Sequence, residues 1–210
     1  MTKQMSESMH LQRAERASSL FDQVASFENL YAAYQAAARG KHDRVATLRH
    51  DLHAEKILWR LRWELLNGRY RHGKYRRFTI VEPKARDVSA APFTDRIVHH
   101  AVVQVVEPLF ERGFIYDSYA CRRRKGTHQA ALRLQHFLRS ASTSIGHTGR
   151  LYVLRADIRK FFARIDHDVL KDILRRKLPD ARLRELLGLI IDSFSEIVPQ
   201  TPQAESSLSI

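Results

Sequence analysis

The chain has 210 residues, 44% of them hydrophobic and 28% charged, with only 8 Gly and 6 Pro. That composition excludes collagen-like, low-complexity and wholly disordered chains, and allows one ordinary domain or one plus a fragment of another. Thirty-six Lys and Arg against 23 Asp and Glu leave a charge of +13, which favours a polyanionic partner, most simply nucleic acid, because neutralised phosphates release condensed counterions.

An anionic membrane is the competing partner, weakened by the absence of any apolar run near the ~18–20 residues a span needs. The first twenty residues lack a signal peptide's hydrophobic stretch. The single cysteine, Cys121, has no partner for an internal disulfide, so a cytoplasmic setting is expected.

Residues 1–20 read as a polar, disordered leader. FDQVASFENLYAAYQAAARG predicts one helix over 21–38, ended by Gly40 after Arg39. A second helix is expected over 49–67, with Leu58, Leu61, Leu65 and Leu66 on one face and Gly68 as its cap. The character changes in RYRHGKYRRFTIVEPKARDVSAAPF. Aromatic and β-branched residues around Pro83 predict a two-stranded ribbon turning near Pro83-Lys84-Ala85, with Phe78 and Ile80 on one side and Arg77, Thr79 and Val81 on the other.

Thr94 then looks like the N-cap of a helix whose apolar face is Val98, Ala101, Val102, Val105 and Leu109. Its valines also fit a strand, but the helical period persists for more than three turns and decides the matter. Pro108 is expected to kink or end it. Another helix over 128–138 carries Ala131, Leu134 and Leu138. STSIGHTG reads as a loop and LYVLRAD as a short buried strand ending at Asp157. Helices follow from Asp166 and from Pro179, the latter with Leu183, Leu187, Ile190 and Ile191 as its core face. The stretch 195–210 has no Lys or Arg and reads as a disordered tail.

Chemistry concentrates in a few places. Between Arg69 and Arg86, seven Lys and Arg face one acid, Glu82, with Tyr70, Tyr75 and Phe78 interleaved. Cations for a phosphate chain beside rings for stacked bases suit single strands; the plainer reading is a solvated basic surface. Arg122, Arg123, Arg124 and Lys125 form a second cluster just before a helix start. A carboxylate at a strand end, Asp157, is one way to aim an acid into a cleft, but is more often only a helix cap. Asp166 and Asp168 fit a helix start better than a ligand set. No zinc-like Cys/His spacing, no glycine-rich nucleotide loop and no base beside Cys121 are evident.

Taken in order, EPKARDVSAAPFTDRIVHHAVVQVVEPLFERGFIYDSYACRRRKGTH and ADIRKFFARIDHDVL resemble the N-terminal part of bacterial reverse transcriptases of the group II intron and diversity-generating retroelement type, over about 27–194. The resemblance implies a helix-rich α/β (α+β) fold, with fingers over 21–150 and the start of a palm over 151–194. It implies two-Mg²⁺ nucleotidyl transfer with RNA template, DNA or RNA primer and deoxynucleoside triphosphates as partners. Asp157 matches the palm's first metal-binding aspartate, with Ile158 adding its carbonyl. Phe162 matches the steric gate against a 2′-hydroxyl, against a plain reading as a core Phe. Lys84 and Arg86 match the residues that clasp the triphosphate. Arg76, Arg77, Arg96, Arg122 and Arg123 are the expected nucleic-acid contacts, with bracing of the fingers left open as the other role for Arg96.

The chain also departs from that pattern. Arg124 stands where related sequences often carry glycine, and Asp87 stands where an apolar residue is usual. No Gln-Gly and no Asp-Asp dipeptide occurs, and the helical thumb is expected to be missing. The expectation is therefore a fingers and early palm fragment that does not polymerise by itself, with truncation, a frameshift or an interrupted element as explanations. A noncatalytic RNA- or DNA-binding protein is the alternative, and a decayed gene product the third.

Overall fold

A computed structural model describes residues 19–39, 53–83, 85–145, 150–159 and 161–195. The expected leader up to residue 18, the stop at Gly40, Lys84 and the tail beyond Ser195 lie outside these. The described residues are helix-rich with one two-stranded sheet, an α+β arrangement. They fall into two units, 1–105 with 162–210, and 106–161.

In the larger unit, the helix expected over 21–38 is two helices, α1 (Leu20–Val24) and α2 (Phe27–Ala38). Ser26 breaks them: its hydroxyl donates to the Gln23 carbonyl and accepts from the Asn29 amide at 3.2 Å, capping α2. The Asn29 side chain then donates to the carbonyls of Val24 and Ala101, tying the break to a later helix. Helix α3 (Ala54–Leu66) buries Leu58, Leu61 and Leu65 as expected. Gly68 sits at φ +65°, and the Gly68 and Arg69 amides reach back to the Leu65 and Glu64 carbonyls, a Schellman ending.

Strands β1 (Arg76–Ile80) and β2 (Arg86–Ala90) pair antiparallel with Phe78 opposite Val88 and Thr79 opposite Asp87. The expected ribbon is present. Asp87 does not weaken it, since it accepts a 2.7 Å hydrogen bond from its cross-strand neighbour Thr79. Helix α4 (Phe93–Glu111) begins one residue before Thr94, with the Pro92 carbonyl accepting from the Arg96 amide, so Thr94 is not its cap. It runs past Pro108 for three residues rather than ending there. Its buried stripe is Ile97, Val98, Ala101 and Val102.

Helices α6 (His167–Lys177) and α7 (Ala181–Ser195) (α5 lies in the smaller unit) complete this core, with Leu178, Leu183 and Leu186 buried. Asp166 caps α6 by accepting from the Asp168 and Val169 amides, so it is a helix start as expected. Asp180 accepts from Leu183 at the start of α7 and from the Phe21 amide at 2.8 Å. Partial burial opposes ionisation of Asp180, but those amides outweigh it and hold its carboxyl below the usual range.

Helix α4 passes into the smaller unit, where α5 (Thr127–Ile145) is longer than expected and absorbs the start of the predicted loop. The expected buried strand at 151–157 is not a strand: Tyr152 is 83% and Leu154 91% exposed. Among the described residues the only strands are β1 and β2, which pair with each other, so this apolar stretch has no neighbour to bond.

The turn between α4 and α5 places Cys121 and Arg124 at φ +56° and +59°. Arg124 thus holds the left-handed conformation that glycine adopts without strain. Arg124→Gly should raise unfolding stability by up to about 1 kcal/mol, whereas Arg124→Ala, which keeps the strain, should not. Urea denaturation of the three proteins checks this.

Candidate nucleic-acid interface

A strap, 69–75, leads from α3 to the ribbon, and one carboxylate holds it. Asp95, in the first turn of α4, is 3% exposed and accepts 2.7 Å from the Tyr70 hydroxyl and 3.1 Å from the Gly73 amide. Burial, then the hydrogen bond to Asp95, push the Tyr70 hydroxyl far above its ordinary value, so it stays a donor. Gly73 has no room for a side chain: an added Cβ would lie 2.9 Å from both Asp95 Oδ2 and Pro92 Cγ.

Beyond Gly73, three rings stack. His72 lies 4.8 Å from Tyr75 and 5.2 Å from His99, centroid to centroid. His72 Nδ1 meets the Gly73 carbonyl at 2.7 Å, so Nδ1 is the donor, and its Nε2 accepts from His99 Nε2 at 3.1 Å when both rings are neutral. Tyr75 is fixed at the far end by Ser193 and by an edge contact with Phe194 of α7. His72 and Tyr75 wall an open groove of about 700 Å³, lined also by Arg71, Lys74 and Arg77 and, from α7, by Leu189, Asp192 and Ser193. Sequence reading found the basic strip but missed Asp95, which reads as an ordinary helix-start acid, and missed the histidine pair, separated by 27 positions.

The ribbon spreads its cations apart. Arg76, Phe78 and Ile80 share one face with Arg86 and Val88, and Arg77 shares the other with Thr79 and Asp87. Arg76 lies over the Phe78 ring at 5.4 Å. Arg86 stands opposite Ile80, about 10 Å along the strand from Arg77. Arg96 is half-buried over Phe93 at 5.2 Å. Phe162 is 82% exposed and opens a short 3-10 turn, so it is not a core residue.

In the smaller unit the second basic cluster divides. Arg122 turns inward: it pairs with Glu111 at 2.7 Å, donates to the Ile115 and Ser118 carbonyls, and lies over Phe114. That hydrogen bond holds the Glu111 carboxyl below its usual range. Lys125 donates to the Tyr116 carbonyl and lies over the Tyr116 and Tyr119 rings. Arg123 and Arg124 are exposed. Asp157 and Ile158 are exposed in the irregular segment. Among the described residues no group of three or more His, Cys, Asp or Glu gathers to hold a metal. The described residues therefore do not by themselves build a two-ion site around Asp157. No described helix is long and apolar enough to cross a membrane.

Burial first, then neighbouring His72, lowers the His99 pKa from 6.5 to about 4, with Asp95 opposing and His100 reinforcing. Between those values the unfolded chain binds a proton that folded His99 refuses, so stability is lost as pH falls from 6.5 toward 4. After partial screening this is about 1–2 kcal/mol. His99→Gln, which can still donate to His72, should show a smaller loss between pH 7 and pH 4.5 in urea midpoints.

Gly73→Ala should cost about 1–3 kcal/mol, because the strap must leave Asp95 to admit the methyl. Thermal melts read it.

No protein-family model matches the chain. It is similar to Protein YkfC of Escherichia coli, 33% identical over 129 residues, covering 60% of this chain and 33% of that protein. It is also similar to the Group II intron-encoded protein LtrA of Lactococcus lactis subsp. cremoris, 26% identical over 165 residues, 77% of this chain and 25% of that one. A third relative is Nuclear intron maturase 1, mitochondrial, of Arabidopsis thaliana, 28% identical over 102 residues, 49% of this chain and 13% of that one. The chain spans a third or less of the length of these relatives. At this level it is distantly related to intron-encoded and intron-maturase proteins.

Proposed function

We propose that the chain is the fingers and early palm portion of a reverse-transcriptase-related protein of the group II intron type, and that this portion handles RNA. The observation that carries this is the similarity to a group II intron-encoded protein over 77% of the chain. Support comes from the antiparallel ribbon and its basic strap, set beside a groove lined by Arg71, Lys74 and Arg77. In this reading Arg76, Arg77, Arg96 and Arg123 meet template phosphates. Lys84 and Arg86 clasp the triphosphate of an incoming deoxynucleotide, and Phe162 screens its 2′ position. Asp157 and the Ile158 carbonyl are one part of a magnesium site whose other carboxylates the described residues do not bring together. The second reading is a noncatalytic RNA-binding protein that keeps only the basic surface, which the exposed Arg71, Lys74, Arg76 and Arg77 support by themselves.

RNA affinity should fall steeply with salt, with a log–log slope of roughly −0.7 per neutralised phosphate on single strands. Replacing Arg76, Arg77 and Arg123 together by Ser should flatten that slope by about 2 if each meets one phosphate. Arg122 is left in place because it holds its turn. An unchanged slope would reduce these arginines to surface charge.

Primer extension on an RNA template with Mg²⁺ separates the two readings of the chain itself. The 210-residue chain is expected to bind without extending. Robust extension, abolished by Asp157→Ala, would show that carboxylates outside those described complete the site.

A further inference from the structure

The chain has two tryptophans, and both lie on α3, four positions apart. They occupy a flank of the helix away from the buried stripe of Leu58, Leu61 and Leu65. Trp59 is 49% and Trp63 51% exposed, an uncommon amount of indole to leave in water. Each carries a guanidinium: Arg62 lies 5.5 Å from the Trp59 ring centre and Arg69 lies 5.2 Å from that of Trp63. Arg62 Nε is buried with no hydrogen-bond partner among the described residues, so a ring rather than a carboxylate steadies that side chain. Phe27 stacks beneath Trp59 at 4.8 Å and 28°, and with half-exposed Tyr31 it lines a depression of about 660 Å³ that also takes in Lys56.

We propose that this flank is a stacking platform for unpaired bases of single-stranded RNA, a site distinct from the strap groove. The inference rests on the RNA-handling role proposed above and gives it a specific contact. Positions i and i+4 on a helix are about 6 Å apart along the axis, which lets neighbouring bases each meet a ring or its guanidinium rather than each other. Such stacking is tolerant of sequence and favours unpaired strands over duplex, whose bases are already stacked. Trp and Arg also dominate protein interfaces. The charges choose between these partners: Lys56, Arg60, Arg62 and Arg69 outnumber Glu55 and Glu64 on this helix and its end, and Glu64 already faces Arg60 at 3.6 Å. A cationic aromatic flank repels a second copy of a chain carrying +13 and attracts a polyanion.

Because no other tryptophan exists in the chain, emission excited selectively at tryptophan reports on this flank alone. The test uses the full chain, a fluorescein-labelled oligouridylate of about a dozen nucleotides, within the usual site size for single-strand binding, and an RNA duplex of equal length. Anisotropy follows binding and tryptophan emission follows stacking. Single-stranded RNA is expected to quench the emission in step with the anisotropy rise, and the duplex to quench far less. Trp63→Ala should weaken single-strand binding roughly 5- to 100-fold, with its helical content and melting unchanged because the side chain is half in water. Anisotropy that rises without quenching would overturn the platform and leave the RNA-handling role standing. No anisotropy change at all would remove both. Emission that shifts with protein concentration in the absence of RNA would assign the flank to a second copy and also overturn the proposal.

Discussion

A buried carboxylate is costly unless donors surround it, and Asp95 solves this by drawing the chain to itself. The Tyr70 hydroxyl and the Gly73 amide both point at it, and its place in the first turn of α4 adds the favourable end of the helix dipole. Those bonds fix a strap that has no regular hydrogen bonding of its own. Gly73 can lie this close only because it has no Cβ. Everything after the strap inherits its position: the His72 and Tyr75 stack, the groove wall, and the first strand of the ribbon at Arg76. A removed or misplaced carboxylate would therefore unseat a basic surface that it never touches.

In the smaller unit, a cation does the corresponding work. Arg122 gathers Glu111 and two carbonyls of the turn, and Arg133 does the same for Asp117 while lying over Phe137 at 4.5 Å. This is why charge arithmetic overstates the surface available to a polyanion. Arg122 and Lys125 spend their donors on their own turn, while Arg123 and Arg124 remain exposed. Four consecutive cations in sequence are thus two structural groups and two that face solvent.

The sequence made legible what short-range chemistry decides. Gly68 ends α3, Asp166 starts α6, and the aromatic and β-branched run around Pro83 forms a ribbon in the expected register of faces. It hid what depends on distant partners. Ser26 breaks a helix that periodicity would continue, in part because Asn29 can bond across to Ala101. Thr94 has the chemistry of a cap but follows Pro92, whose carbonyl takes the first helical bond one residue earlier. Arg124 was visible as a departure from a glycine pattern, and its positive φ supplies the physical reason that glycine suits the position. The pairing of His72 with His99, like the grip of Asp95 on Gly73, joins residues that no spacing rule connects.

The two units differ most in what lies beneath their surfaces. The larger one encloses Leu30, Leu58, Leu61, Ile97 and Leu183 completely or nearly so. In the smaller one no described residue from 106 to 161 is buried, while Leu134, Phe137, Tyr152, Val153 and Leu154 each leave about half or more of their surface in water. Its side chains are tied by ion pairs and cation–π contacts at partly exposed positions, which solvent screens. Such contacts hold a turn but enclose no core. Asp157 sits in this unit, at the end of the apolar stretch that has no strand neighbour among the described residues. Ordering that stretch takes two things at once: an in-plane neighbour to pair its backbone, and a layer packed on its face to cover Val153 and Leu154.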